Sequence, residues 1–189
     1  MLLQKTVLAP HLGPVLASAC ELEYQILLLV AAHPQAKKLG DDYRKQMLAK
    51  NGYPRLSKFL SILMSSSGLR DPQEVAYLRG CLTLRNLLVH GAYRGAILAV
   101  ASLPQLEIKK NVVTFSAARG FSVPTCQTQL EEAMMLVRVP WLGPLVIEIF
   151  DGAHLLLSLR VDQYYERKHK LSTPMMTIGD YPGPNRIRA

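Results

Sequence analysis

The strongest constraint on this fold is a helix whose two ends are both written into the sequence. Asp71-Pro72-Gln73-Glu74 reads as a helix start: Asp71 can cap free amides, Pro72 suits the first helical position, and Glu74 would complete a capping box. At the other end Gly91, directly after His90, can take the left-handed conformation that closes a helix. Between these ends Leu78, Cys81, Leu82, Leu88 and Val89 fall three or four residues apart, predicting one apolar stripe.

The rest of the chain supplies further helices. Pro14 opens a leucine-rich pattern that runs to about Ala32 and is stopped by His33-Pro34. Short helices are predicted over 41–50 and from Pro54 towards Ser65. Ala96 to Leu103 is apolar without a clear period, and helix and buried strand both remain open there. Leu106-Glu107-Ile108 and Val112 to Phe115 flank Lys109-Lys110-Asn111, the pattern of a small β-hairpin. A helix resumes near Thr125 or Thr128 with Leu130, Met134, Met135 and Val137 facing inward, and Pro140 and Pro144 bend or break it. The last long helix covers 145–168. From Leu171 onward, Pro174, Pro182 and Gly183-Pro184 predict an extended or mobile tail. The expected organisation is an all-α helical bundle over 1–170 with a hairpin insertion near 106–115, followed by the tail over 171–189.

Charge narrows the partners. Twenty-two Lys and Arg against fourteen Asp and Glu give +8, so an anionic partner, nucleic acid first, is expected. The three cysteines Cys20, Cys81 and Cys126 are odd in number and widely spaced, which fits buried thiols in a reducing compartment and a cytoplasmic location. The first twenty residues imitate a lipoprotein leader, with Ala17-Ser18-Ala19 before Cys20, but Pro10, His11, Gly13 and Pro14 interrupt the apolar stretch that a leader needs. The apolar segment from Leu142 to Val161 carries Glu148, Asp151, His154 and Arg160, and is read as a core helix with no membrane partner.

Arg85 lies inside the apolar stripe, three after Leu82 and three before Leu88. A cation there needs a partner, because burying it alone costs several kcal/mol. Asn86 and His90 share the adjacent face with Thr83 and Arg79. Arginine grips phosphate oxygens with a planar fork, histidine moves protons near neutral pH, and asparagine can orient either, so the set suits phosphodiester cleavage without a metal or cofactor. A purely structural account pairs Arg85 with Glu21 or Glu148 and leaves His90 to cap the helix. Glu148, Asp151 and His154 imitate metal ligands but read better as a polar row, and the Arg160 to Lys170 cluster with Tyr164 and Tyr165 suits either a helix end or a single-stranded backbone.

The segment Leu84-Arg85-Asn86-Leu87-Leu88-Val89-His90-Gly91 resembles the signature of the HEPN superfamily, an Arg, a polar residue that is commonly Asn, and a His a few positions later. The order that follows, a hairpin and then an acidic-led helix such as Thr128-Gln129-Leu130-Glu131-Glu132, is similar too. The resemblance implies a helical bundle that dimerises with two motifs facing each other. It also implies a metal-independent endoribonuclease, often a toxin or defence effector held by an antitoxin protein. Arg85, Asn86 and His90 would then be catalytic, with Arg79, Arg94, Arg167 and Lys168 as RNA contacts. A non-catalytic HEPN interaction or RNA-binding module is the alternative. Some such toxins carry a modified Tyr two residues after the His; here that position is Ala92, and Tyr93 is the candidate, with packing as its competing role.

Overall fold

In the computed structural model, residues 2–32, 60, 61, 64 and 71–169 are described. They form α1 (Leu2–Ala32), α2 (Pro72–Val89), α3 (Tyr93–Ser102), β1 (Pro104–Lys109), β2 (Val112–Ala118), α4 (Gln129–Arg138) and α5 (Leu142–His169). The protein is mostly helical with one two-stranded antiparallel sheet. The helix predicted over 41–50 and the tail over 171–189 lie outside the described residues. Leu60, Ser61 and Met64, from the helix predicted after Pro54, are helical, and Leu60 and Met64 are buried. Of the three thiols expected to be buried, only Cys81 is; Cys126 is half-buried and Cys20 is exposed.

The longest helices, α1 and α5, make the most extensive helix pairing; α2 and α4 pack against both, and α3 packs against α2 and α4. Helix α1 begins at Leu2, well before the Pro14 start expected from the sequence, with Pro10 and Pro14 inside it. Each proline removes one helical N–H. Buried Leu12 and Val15 hold this stretch by packing where the ladder is interrupted.

Helix α5 buries Leu145, Val146, Ile149, Phe150, Ala153, Leu156 and Leu157 in the core. Its stretch Leu142–Gln163 is also long and apolar enough to cross a membrane, and 44% of the qualifying window is buried inside the protein. Pro144 falls in the first turn of α5, and Pro140 lies in the break between α4 and α5.

The hairpin turns through Lys110 and Asn111, both with positive φ (48° and 67°), the two-residue geometry that matches strand twist. A bulge sits where Pro104 pairs with Ala118 while Gln105 pairs with Ser116. The inner face of the hairpin packs on the helices: the Phe115 ring lies 5.5 Å from that of Tyr77, and Leu106 meets α5 at Gly152. A Cβ at Gly152 would come within 3.2 Å of Leu106 Cδ2 and 3.3 Å of the Tyr77 hydroxyl, so the absence of a side chain lets β1 approach α5.

Candidate active site at the end of α2

Both ends of α2 form where the sequence placed them. Asp71 Oδ1 accepts from the Gln73 amide at 2.8 Å. Glu74, expected to complete a capping box, is instead 2% exposed and paired with Arg160 of α5: Arg160 Nε donates to Glu74 Oε2 at 2.9 Å and its Nη2 to Oε1. At the other end the Ala92 amide donates to the Leu87 carbonyl (2.8 Å) and the Gly91 amide to that of Leu88 (3.1 Å), with Gly91 at φ +70°. This is a Schellman closure, and it fixes His90 as the residue on which the helix ends.

The chemistry-bearing side chains divide between two environments. Arg79, Thr83, Asn86 and His90 are exposed along one face of α2. Thr83 Oγ1 donates back to the Arg79 carbonyl at 3.1 Å. His90 caps α2, its amide bonded to the Asn86 carbonyl at 3.0 Å, and its imidazole makes no hydrogen bond or ion pair with another described residue.

Arg85 turns towards α1. Its side chain is 17% exposed and its Nη2 donates to Glu23 Oε2. Its Nη1 donates to Asn86 Oδ1 at 3.1 Å. Its Nε is buried without an acceptor among the described residues. The carboxylate partner is therefore Glu23, not the expected Glu21 or Glu148: Glu21 accepts from Gln25, and Glu148 pairs with Arg119 at 3.3 Å. Glu23 was the residue missed by sequence reasoning. A signal for it existed, since Glu23 lies four after Ala19 and three before Ile26, both buried, and so borders the apolar stripe of α1 as Arg85 borders that of α2. Val89, assigned to that α2 stripe, is 42% exposed: the last buried position of the helix is Leu88, and Val89 is turned about 100° away from it.

The start of α4 is tied to the loop that follows His90. Thr128 and Glu131 form a reciprocal capping box. The adjacent side chains reach the loop after His90: Gln129 Nε2 donates to the Gly91 carbonyl, and Glu132 Oε2 accepts from the Arg94 amide at 3.1 Å. Helix α3 has no side-chain cap of its own at Ala92, so Glu132 supplies an acceptor for its first turn. The inward face of α4 is Ala133 and Leu136; Leu130 is exposed, and Met134, Met135 and Val137 are half-buried, because the helix axis is set by these polar anchors.

Of the remaining candidates, Arg94 is exposed beside the site, and Tyr93 is half-buried against the core with its ring next to Gly91. Arg167 and Lys168 lie in the last turn of α5, a long way along the chain from the motif, and their side chains are outside the described set. Arg160, read with them as part of a surface cluster, is turned inward by Glu74. The row Glu148, Asp151 and His154 does not converge: Glu148 faces Arg119, while His154 Nε2 lies 3.4 Å from Ser158 Oγ. A separate cavity of about 240 Å³ lies between β1 and α5, lined by Tyr77, Leu106, Ile108, Arg119, Glu148 and Leu155 among others.

Chemically, the end of α2 offers an exposed imidazole for proton transfer, an amide that holds a guanidinium, and a guanidinium whose charge is met by a carboxylate from α1. No protein-family model, curated protein or solved structure matches this chain.

Proposed function

We propose that this chain is an endoribonuclease of HEPN type that cleaves RNA through its own ribose 2′-hydroxyl. The observation that carries the reading is the presence, at the end of one helix, of an exposed His90 imidazole with no hydrogen-bond partner among the described residues and, five residues before it, an Arg85 guanidinium held by Asn86. In the reaction the 2′-oxygen attacks the adjacent phosphorus and the bond from phosphorus to the 5′-oxygen breaks. The proton leaves the 2′-hydroxyl and one arrives on the 5′-oxygen. His90 carries out proton transfer, Arg85 neutralises charge gathering on the phosphorane, and Asn86 positions Arg85. This residue set calls on no metal or cofactor. Arg79 and Arg94 flank the site on exposed positions, and they, with Arg167 and Lys168, are the proposed backbone contacts.

The working unit in this reading is a cytoplasmic homodimer with paired motifs, and a toxin or defence role with a restraining antitoxin protein follows from the same resemblance. Dimerisation is not needed to neutralise Arg85, since Glu23 of the same chain does so. That ion pair is the observation favouring the second reading, a HEPN interaction or RNA-binding module in which Arg85 ties α2 to α1. Product chemistry separates the two. Labelled RNA incubated with the protein should yield fragments ending in a 2′,3′-cyclic phosphate and beginning with a 5′-hydroxyl, and 2′-O-methyl RNA should resist. Intact RNA after prolonged incubation, with binding retained, selects the module.

A further inference from the structure

The Arg85 guanidinium is placed awkwardly for either a purely structural or a purely catalytic role. As a strut it is incomplete, because its buried Nε finds no acceptor among the described residues, a loss that a satisfied buried network avoids. As a phosphate clamp it is occupied, because Glu23 Oε2 sits on Nη2 and cancels much of its charge. The carboxylate occupies one edge of a planar fork whose shape also fits two phosphate oxygens. Glu23 itself is 28% exposed and Arg85 17%, so water and small anions reach the edge of the pair without the core opening.

From this geometry we infer that Glu23 is an intramolecular competitor for the phosphate position at Arg85: the α1 carboxylate holds the guanidinium in a self-neutralised resting state, and an RNA phosphodiester takes its place. On exchange Arg85 keeps its Asn86 contact through Nη1, and Nη2, vacated by Glu23, turns to the phosphate. The inference rests on the ribonuclease reading only for the identity of the anion. It makes Glu23 a determinant of affinity that acts through Arg85 and touches no reacting atom. Competition by a fixed carboxylate also favours ligands presenting several phosphates, because a single monoanion must offset the lost ion pair alone.

The test is binding of a fluorescent, all-2′-O-methyl oligonucleotide, which lacks the attacking hydroxyl and so reports occupancy whether or not the protein cleaves RNA. Glu23→Gln keeps the shape and removes the charge. It should tighten binding about fivefold or more, the lower range of coupling between two linked sites, and should lower KM for cleavable RNA more than it changes kcat. Glu21→Gln makes the same change in net charge two residues away, off Arg85, and should move affinity by much less. Glu23→Asp retains the charge but withdraws it by one methylene, and should shift affinity in the same direction by a smaller factor.

Equal or weaker binding by folded Glu23→Gln, or an equal gain from Glu21→Gln, overturns the inference. Loss of fold in both Glu23 variants, read by circular dichroism, also overturns it by making the pair a strut between α1 and α2. The ribonuclease reading fails separately: tighter binding by Glu23→Gln with no cleavage of unmodified RNA by any variant leaves the competitor in place and removes the enzyme.

Discussion

Glu74 of α2 and Arg160 of α5 form a two-point ion pair across 86 residues of sequence, and Gln163 takes the remaining contact, accepting from Arg160 Nη1 at 2.6 Å. The carboxylate is 2% exposed and the arginine side chain 24%. The Glu74 contact holds the Arg160 pKa above its ordinary value, with burial opposing it. Removing one partner of a buried pair costs about 3–5 kcal/mol because the other is left charged and alone. The partial exposure of Arg160 puts the expected loss for Glu74→Ala at the lower end, about 3 kcal/mol in chemical denaturation. Glu74→Leu combined with Arg160→Met should recover most of it. A loss below about 0.5 kcal/mol, the scale of an exposed pair, would contradict this role.

Gly91→Ala tests the link between helix closure and site. At φ +70° an L side chain costs about 1–2 kcal/mol, and its Cβ would lie 3.1 Å from Gln129 Nε2. The variant should lose about that much stability and should also weaken RNA cleavage, because the Schellman closure and the Gln129 contact set the backbone next to His90. Unchanged stability would mean that the loop adopts another turn.

His154 should make stability depend on pH. Burial beside α1 lowers its pKa from 6.5, with the charges of Glu21 and Asp151 pulling the other way. The unfolded chain therefore binds the proton first as pH falls. Stability is complete above pH 6.5, declines below it, and levels once the folded imidazole is also protonated. One group can contribute at most about 1.4 kcal/mol per pH unit, and its partial exposure keeps the slope below that. The drop in melting temperature from pH 7.5 to pH 5.5 should be smaller in His154→Gln than in the parent; equal drops would assign the effect to other groups.

What was legible in the sequence was what is local. Asp71, Pro72 and Gly91 bound α2 because capping and left-handed closure are settled within one turn, and Asn111 marks the hairpin for the same reason. The start of α4 was legible only as near Thr125 or Thr128, and the capping box between Thr128 and Glu131 places it at Thr128. The type of the Ala96 to Leu103 segment was not legible, because its helix has no local cap and takes its acceptor from Glu132, 38 residues after Arg94. Glu74 was misread for a related reason: at the third helical position it fits a capping box equally well, and only the approach of α5 gives it Arg160 instead. Within the site, helical spacing identified the exposed face bearing Asn86 and His90 and the inward lean of Arg85, while the identity of its partner depended on how α1 crosses α2.

The central claim is that His90 transfers the proton in RNA cleavage. The direct measurement is the initial rate on end-labelled RNA for the parent, His90→Ala, Arg85→Ala and Arg85→Lys, each with its fold and oligomeric state checked by circular dichroism and light scattering. A positioned proton-transfer group contributes about 100-fold to 10,000-fold, so His90→Ala should fall by at least about 100-fold with fold and RNA affinity retained. Arg85→Ala should be comparably impaired and Arg85→Lys only partly restored, because an ammonium lacks the planar fork. Equal rates for the parent and His90→Ala would contradict the account outright.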